Sequence, residues 1–347
     1  MENKIMILKQ FPLGFPWKTQ DPFLFCVHHE DFYPKGNADF GPATSLAGRN
    51  IGQDFDPQLP WRMYHGEKVP GFPAHPHRGF ETVTIATKGF IDHSDSLGAA
   101  GRFGNGDVQW MTAGKGVQHC EMFPLLKQNE DNPLELFQIW LNLPKKDKLT
   151  NPQFKMLWNS DIPVLALADK QGKKYTIKLV AGNIQQHQAP PPNSWANDPN
   201  NDVAIWLIKA EAGTIVTLPP ASSKANRSLY FYEGNEIKAD GKLIKVKTGL
   251  ELEATTSFEF ENGNAPASFL LLQGKPIAEP VAQHGPFVMN SQQEIMQAFA
   301  EYQQTQFGGW PWSSYEHVHK EAKNGFALYP DGKKEERPET DPALITL

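Results

Sequence analysis

The chain has 347 residues, 39% of them hydrophobic and 21% charged, with a formal net charge of −6. That length suits two domains, each large enough to bury a core, and an acidic balance without a long basic run argues against direct nucleic-acid binding. With 28 Gly and 29 Pro, turns outnumber long helices and an all-β protein is expected.

At the N-terminus the apolar stretch Ile5–Leu8 sits between Lys4 and Lys9, far shorter than the core of a signal peptide, and no run approaches the roughly 20 apolar residues of a membrane span. A protein with no membrane segment is expected in the cytoplasm, or in the nucleus of a eukaryote. Cys26 and Cys120 are the only cysteines, which fits a reducing compartment. His28 and His29 are adjacent and would face opposite ways on a strand, so they read as loop or rim residues. From about residue 20 to 143, runs such as FETVTIATKGF, GDVQWMTAG and LELFQIWLNL give strand signals bounded by turn residues.

Residues 143–153, LPKKDKLTNPQ, combine charge and proline and mark a domain boundary. A second strand-rich stretch runs from Tyr175 to Gly274, interrupted near 183–202 by a surface insertion that contains Pro190, Pro191 and Pro192. The clearest helix follows: Ser291 and Glu294 form a capping box ahead of Ile295, Met296, Phe299 and Tyr302 at near-helical spacing, a pattern that would pack across a barrel. The remaining tail is polar and expected to be loosely held. It contains a second His-x-His, His317 and His319, which has no companion ligand motif and reads as solvated. Closed barrels leave few strand edges to pair, so a monomer is expected.

The chemistry concentrates in GFPAHPHRGFETVTIATKG and, about 30 residues later, GNGDVQWMTAGKGVQHCEMF. On a strand, residues i and i+2 share a face, so His75 and His77 project together, and Glu81 can join them farther along. His119 and Glu121 repeat the geometry on another strand. If those strands are neighbours, three imidazoles and a carboxylate converge on one ion, a donor set suited to a divalent first-row transition metal. Glycines flank DVQWM where the chain must reverse sharply. Alternation turns Cys120 away from the metal and into the wall. Trp110, Phe137 and Trp140 could line an aromatic pocket, although aromatic strand residues more often form core.

This layout resembles the cupin signature, and within cupins it is similar to the pirin family: HPHRGFETVT, GDVQWMTAGKGVQHCEM, QHGPFVMNS and GGWPW all look like pirin segments, spread over most of the chain. The resemblance implies two cupin-type β-barrels of jelly-roll form in one chain. The first, 1–150, would carry the metal; the second, 151–285, would lack one; a helix and tail, 286–347, would follow. Carried over by position, the ligands are His75, His77, His119 and Glu121, which leaves Glu81 as a nearby supporting group. Iron(II) is the implied metal, with zinc, manganese, nickel and copper as alternatives. Some pirins oxidise the flavonol quercetin, so a quercetin 2,3-dioxygenase-like activity on a polyphenol and O₂ is implied, with Glu121 accepting the proton of the substrate's 3-hydroxyl. The competing implication is a metal-dependent binding protein that acts on a transcription-associated protein partner.

Overall fold

The computed structural model describes residues 5–189, 193–340, 342 and 344–346; the prolines at 190–192 lie outside the described residues. The chain divides into two compact units, one made of Met1–Cys26, Ser160–Ala278 and Thr340–Leu347, the other of Val27–Asn159 and Glu279–Glu339. Each is a cupin barrel built from two sheets, antiparallel except where Leu344–Thr346 runs parallel to Val164–Ala168, and among the described residues a single α-helix follows near the C-terminus. Among the described residues no helix is long and apolar enough to cross a membrane.

In the unit centred on Val27–Asn159, a five-stranded sheet runs in the order Gln153–Leu157, Val108–Thr112, Phe80–Lys88, Asn132–Asn142 and Phe23–Tyr33. The opposing sheet runs Lys334–Glu336, Phe326–Leu328, Ala100–Gly104, Phe90–Asp95, Val117–Met122 and Gly71–His77. The runs FETVTIATKGF, GDVQWMTAG and LELFQIWLNL thus supply three adjacent strands of one sheet. These strands are buried along almost their whole length, as expected where both faces are covered. One core of this unit gathers Tyr33, Met63, Ile91, Phe103, Met111 and Phe123. The charged segment at 143–153 is pinned at Lys148, which is 1% exposed and donates to the carbonyls of Gly79 and Val288 and to Asn142 Oδ1.

The other unit has an eight-stranded sheet and a four-stranded one, filled by Leu229, Phe231, Phe260, Phe269, Leu271, Trp206 and their neighbours. Its inner face is thus aliphatic and aromatic over most of its length.

Three expectations are corrected. The helix, Gln292–Thr305, is capped by the Ser291 hydroxyl, which accepts from Glu294 N, while the Glu294 carboxylate reaches back to Asn290 N. It packs on the hairpin of Ala282–His284 and Phe287–Met289 through Ile295 and Ala298, and Met296 faces solvent at 65% exposure. The tail is not loose. Arg102 and Asp92 form a buried ion pair that also takes His319 N on the carboxylate and the carbonyls of His319 and Ala322 on the guanidinium. His28 and His29 lie within a strand, Phe23–Tyr33, on opposite faces: His28 stacks on Phe137 and pairs with Glu135, and His29 is buried against the Tyr64 hydroxyl.

Candidate metal centre

Two neighbouring strands carry the cluster. Gly71–His77 pairs antiparallel with Val117–Met122, with His75 directly opposite His119 and Phe72 opposite Glu121. The register slips between Phe72 and His75, a bulge of the kind that re-aims side chains beside functional sites. The chain turns out of the His-x-His strand at Gly79, whose φ of +86° and approach to the Val288 carbonyl leave no room for a side chain. Gly116 does the same ahead of the second strand, where a Cβ would lie 2.7 Å from the Phe307 ring.

One potential ligand atom from each of His75, His77 and His119 lies within 4.8 Å of the others. His75 Nε2 and His77 Nε2 are 3.1 Å apart, close to the roughly 3 Å expected of two nitrogens about 2.1 Å from one ion at a right angle. The tautomer of His75 is fixed: its Nδ1 is 2.8 Å from the Pro73 carbonyl, which can only accept, so Nδ1 carries the proton and Nε2 presents its lone pair. His119 is fully buried, and neither of its ring nitrogens has a hydrogen-bond partner among the described residues. Leaving a buried donor and acceptor unsatisfied costs about 1–3 kcal/mol each. An ion on one of those nitrogens removes part of that penalty, so the residues present fit a metal.

Burial disfavours the charged form of all three imidazoles. It brings His75 down to about 4, against the opposing pull of the Pro73 carbonyl, and takes His77 and His119 well below the ordinary histidine range, with His75 adding to the effect on both. Neutral imidazole is the ligating form. Of the cluster only His75 is partly exposed, so the site opens on its side. Aromatic rings border it: Trp140 stands edge-on to His77 at 5.3 Å, and Phe72 lies 6.4 Å from His75.

Glu121 is buried on the same strand as His119, outside the group of three. Its Oε1 accepts from the Thr84 hydroxyl at 3.0 Å and its Oε2 from Gln138 Nε2 at 3.0 Å. Burial raises its carboxyl above the ordinary value, while His93, Thr84 and Gln138 pull the other way. Glu81, on the neighbouring sheet, is fully buried and accepts from Thr112 Oγ1 at 2.6 Å. Trp110 and Phe137 are core, whereas Trp140 reaches the cluster. Cys120 is buried with its thiol toward the His317 carbonyl, and burial pushes that thiol up to about 12.

His93 was not singled out in the sequence. It lies directly opposite Glu121 in the pairing of Phe90–Asp95 with Val117–Met122, fully buried, 5.5 Å from the His119 ring and 3.4 Å from Asp95 Oδ2. The alternating FIDHSD segment carries the signal, a histidine two residues from an acid on one strand face.

A two-barrel cupin with a three-histidine cluster able to hold a metal ion is the class that the fold and site define. Residues 48–141 match the Pirin family and residues 205–308 match the Pirin C-terminal cupin domain. A Pseudomonas aeruginosa protein named "Putative quercetin 2,3-dioxygenase" is 35% identical over 280 residues, which cover 77% of this chain and 92% of that one. A pirin-like protein of Caulobacter vibrioides is 35% identical over 269 residues, 76% of this chain and 92% of the relative. The chain belongs to the pirin family. Among solved structures, the quercetin 2,3-dioxygenase of Acinetobacter baumannii superposes with a TM-score of 0.69 at 26% identity, covering 87% of this chain and 98% of that one.

Proposed function

We propose that the first cupin barrel holds one iron(II) ion on His75, His77 and His119, with Glu121 as the fourth protein ligand, and that the protein oxidises a small phenolic substrate of the quercetin type with O₂. The observation that carries the reading is His119, fully buried with both ring nitrogens unpartnered among the described residues, beside two imidazoles that converge on it. The relatives named for quercetin dioxygenation support the substrate class.

A bound iron ion would supply Lewis acidity toward a phenolic oxygen and a redox partner for O₂. The remaining work falls to side chains. Pro73 orients His75 through Nδ1, keeping Nε2 available. Phe72 and Trp140 offer aromatic faces and edges to a planar ring on the open side. Glu121 takes the proton of the substrate hydroxyl. As an ionised carboxylate it can accept that proton, and Thr84 and Gln138 hold it in place.

The test is O₂ uptake with quercetin by protein loaded anaerobically with Fe(II), beside His75→Ala and Glu121→Gln variants assayed in parallel for metal. Uptake stoichiometric with quercetin and lost in both variants is expected. A folded, iron-loaded wild type that consumes no O₂ would remove the dioxygenase reading and leave a metal-dependent binding protein as the better account.

A further inference from the structure

In the other barrel the inward-facing rows end in charge. On the strand Asn226–Glu233, Leu229 and Phe231 enter the core, so alternation sends Arg227 to the same interior. Arg227 is directly opposite Gln273, which is opposite Ala204, and the next rows inward are Leu229, Leu271 and Trp206, then Phe231, Phe269 and Ile208. Arg227 therefore caps an apolar barrel from within, at 1% exposure, beside an alanine that leaves the row short of side chain.

Its guanidinium donates no hydrogen bond among the described residues: Nε, Nη1 and Nη2 are all without one. The nearby carboxylate whose charge acts on it, Asp202, is committed elsewhere: Oδ1 accepts from Gln273 Nε2 at 3.0 Å and Oδ2 from Ser222 N at 2.8 Å. The Trp206 ring, 6.0 Å from the guanidinium, offers only a distant π-face, and its own Nε1 is spent on the Ala181 carbonyl. Two further buried polar atoms at this end are unpartnered among the described residues, Gln273 Oε1 and Ser222 Oγ. An arginine cannot shed its charge to escape burial, and a buried charge without a hydrogen-bonded counter-ion is among the costliest features a fold can keep. A planar fork of free N–H donors matches a carboxylate bound through two parallel hydrogen bonds.

We propose that this end of the second barrel is a binding site for a small carboxylate anion, held bidentately by Arg227 with Ser222 Oγ as a further donor. The site is independent of the metal centre and needs no metal.

The test is thermal unfolding of the full-length protein titrated separately with sodium acetate, sodium phosphate and sodium chloride. Acetate should raise the wild-type Tm saturably, with a midpoint at least tenfold below those of the other two anions. Arg227→Met should abolish the saturable rise, and Arg227→Lys, which keeps a cation without the fork, should move the acetate midpoint up at least tenfold. An acetate response identical in wild type and Arg227→Met, or no saturable response to acetate, overturns the proposal; a preference for phosphate or chloride overturns the carboxylate class. A crystal structure of the wild type grown with acetate decides the matter if the variants do not fold: acetate on the Arg227 guanidinium supports the site, and crystals without it there refute it.

Discussion

In the first barrel the row of Phe72, Glu121 and His93 lies beside the row of His75, His119 and Asp95. In the second, the rows inward of Arg227, Gln273 and Ala204 are Leu229, Leu271 and Trp206, then Phe231, Phe269 and Ile208. The same antiparallel alternation therefore delivers imidazole and carboxylate to the middle of one interior and hydrocarbon to the middle of the other, with Arg227 only at its end. Architecture supplies inward-facing positions, and the residues placed there decide whether the interior does chemistry or only packs. The histidines divide the same way: of 11 in the chain, only His187 lies in the unit that includes Ser160–Ala278.

The comparison is broken hardest at Glu121. Glu121→Gln keeps the shape but removes the base and the charge offered to the ion, and quercetin-dependent O₂ uptake per bound iron should fall by about 10²-fold or more. Activity within a factor of two of wild type would show that the carboxylate is not the proton acceptor. Next is the hydrocarbon interior: Phe231→Ala should cost about 3–5 kcal/mol of unfolding free energy in urea titration, with metal bound per chain unchanged in the folded protein. Loss of metal in that folded variant would mean the two interiors are not separable.

A smaller effect sharpens the contrast through pH. In the folded metal-free protein His75 takes a proton only near pH 4, and His29, lowered chiefly by burial, only near 3, whereas in the unfolded chain both do so near 6.5. Between about 6.5 and 4 the unfolded chain binds more protons, so the stabilisation is complete above 6.5 and is lost as pH falls through that window. Tm measured from pH 7.5 down to 4.5 should decline, and His29→Phe should flatten part of the decline; a Tm that rises on acidification would contradict this. Smallest of all, Met296→Gln on the exposed face of the helix should change stability by less than about 0.5 kcal/mol in the same urea titration.

Much of the site is legible in the sequence because strand alternation is local. His75 and His77 share a face by their spacing alone, and the Gly-rich turns around DVQWM mark where the second strand must return. What is not legible depends on partners distant in the chain. His93 acquires meaning only through its register opposite Glu121. The tail reads as loosely held because its own residues are polar, yet His319 joins Arg102 and Asp92 in a buried network that spans more than 200 positions of sequence. Met296 reads as part of the packed face of the helix because periodicity gives a stripe but not its centre; Ala298, buried in that face, is too small to stand out in the pattern. Arg227 passed unremarked among alternating residues, since a sequence does not show that a charge has been left without a partner.

Whether the first barrel's three imidazoles hold one ion is decided by anaerobic Fe(II) titration of the metal-free protein followed by elemental analysis, wild type beside His119→Ala. One iron per wild-type chain and less than a tenth of that in a folded His119→Ala variant is the predicted result. Equal iron in both proteins would contradict a site on these imidazoles and place the metal elsewhere in the chain.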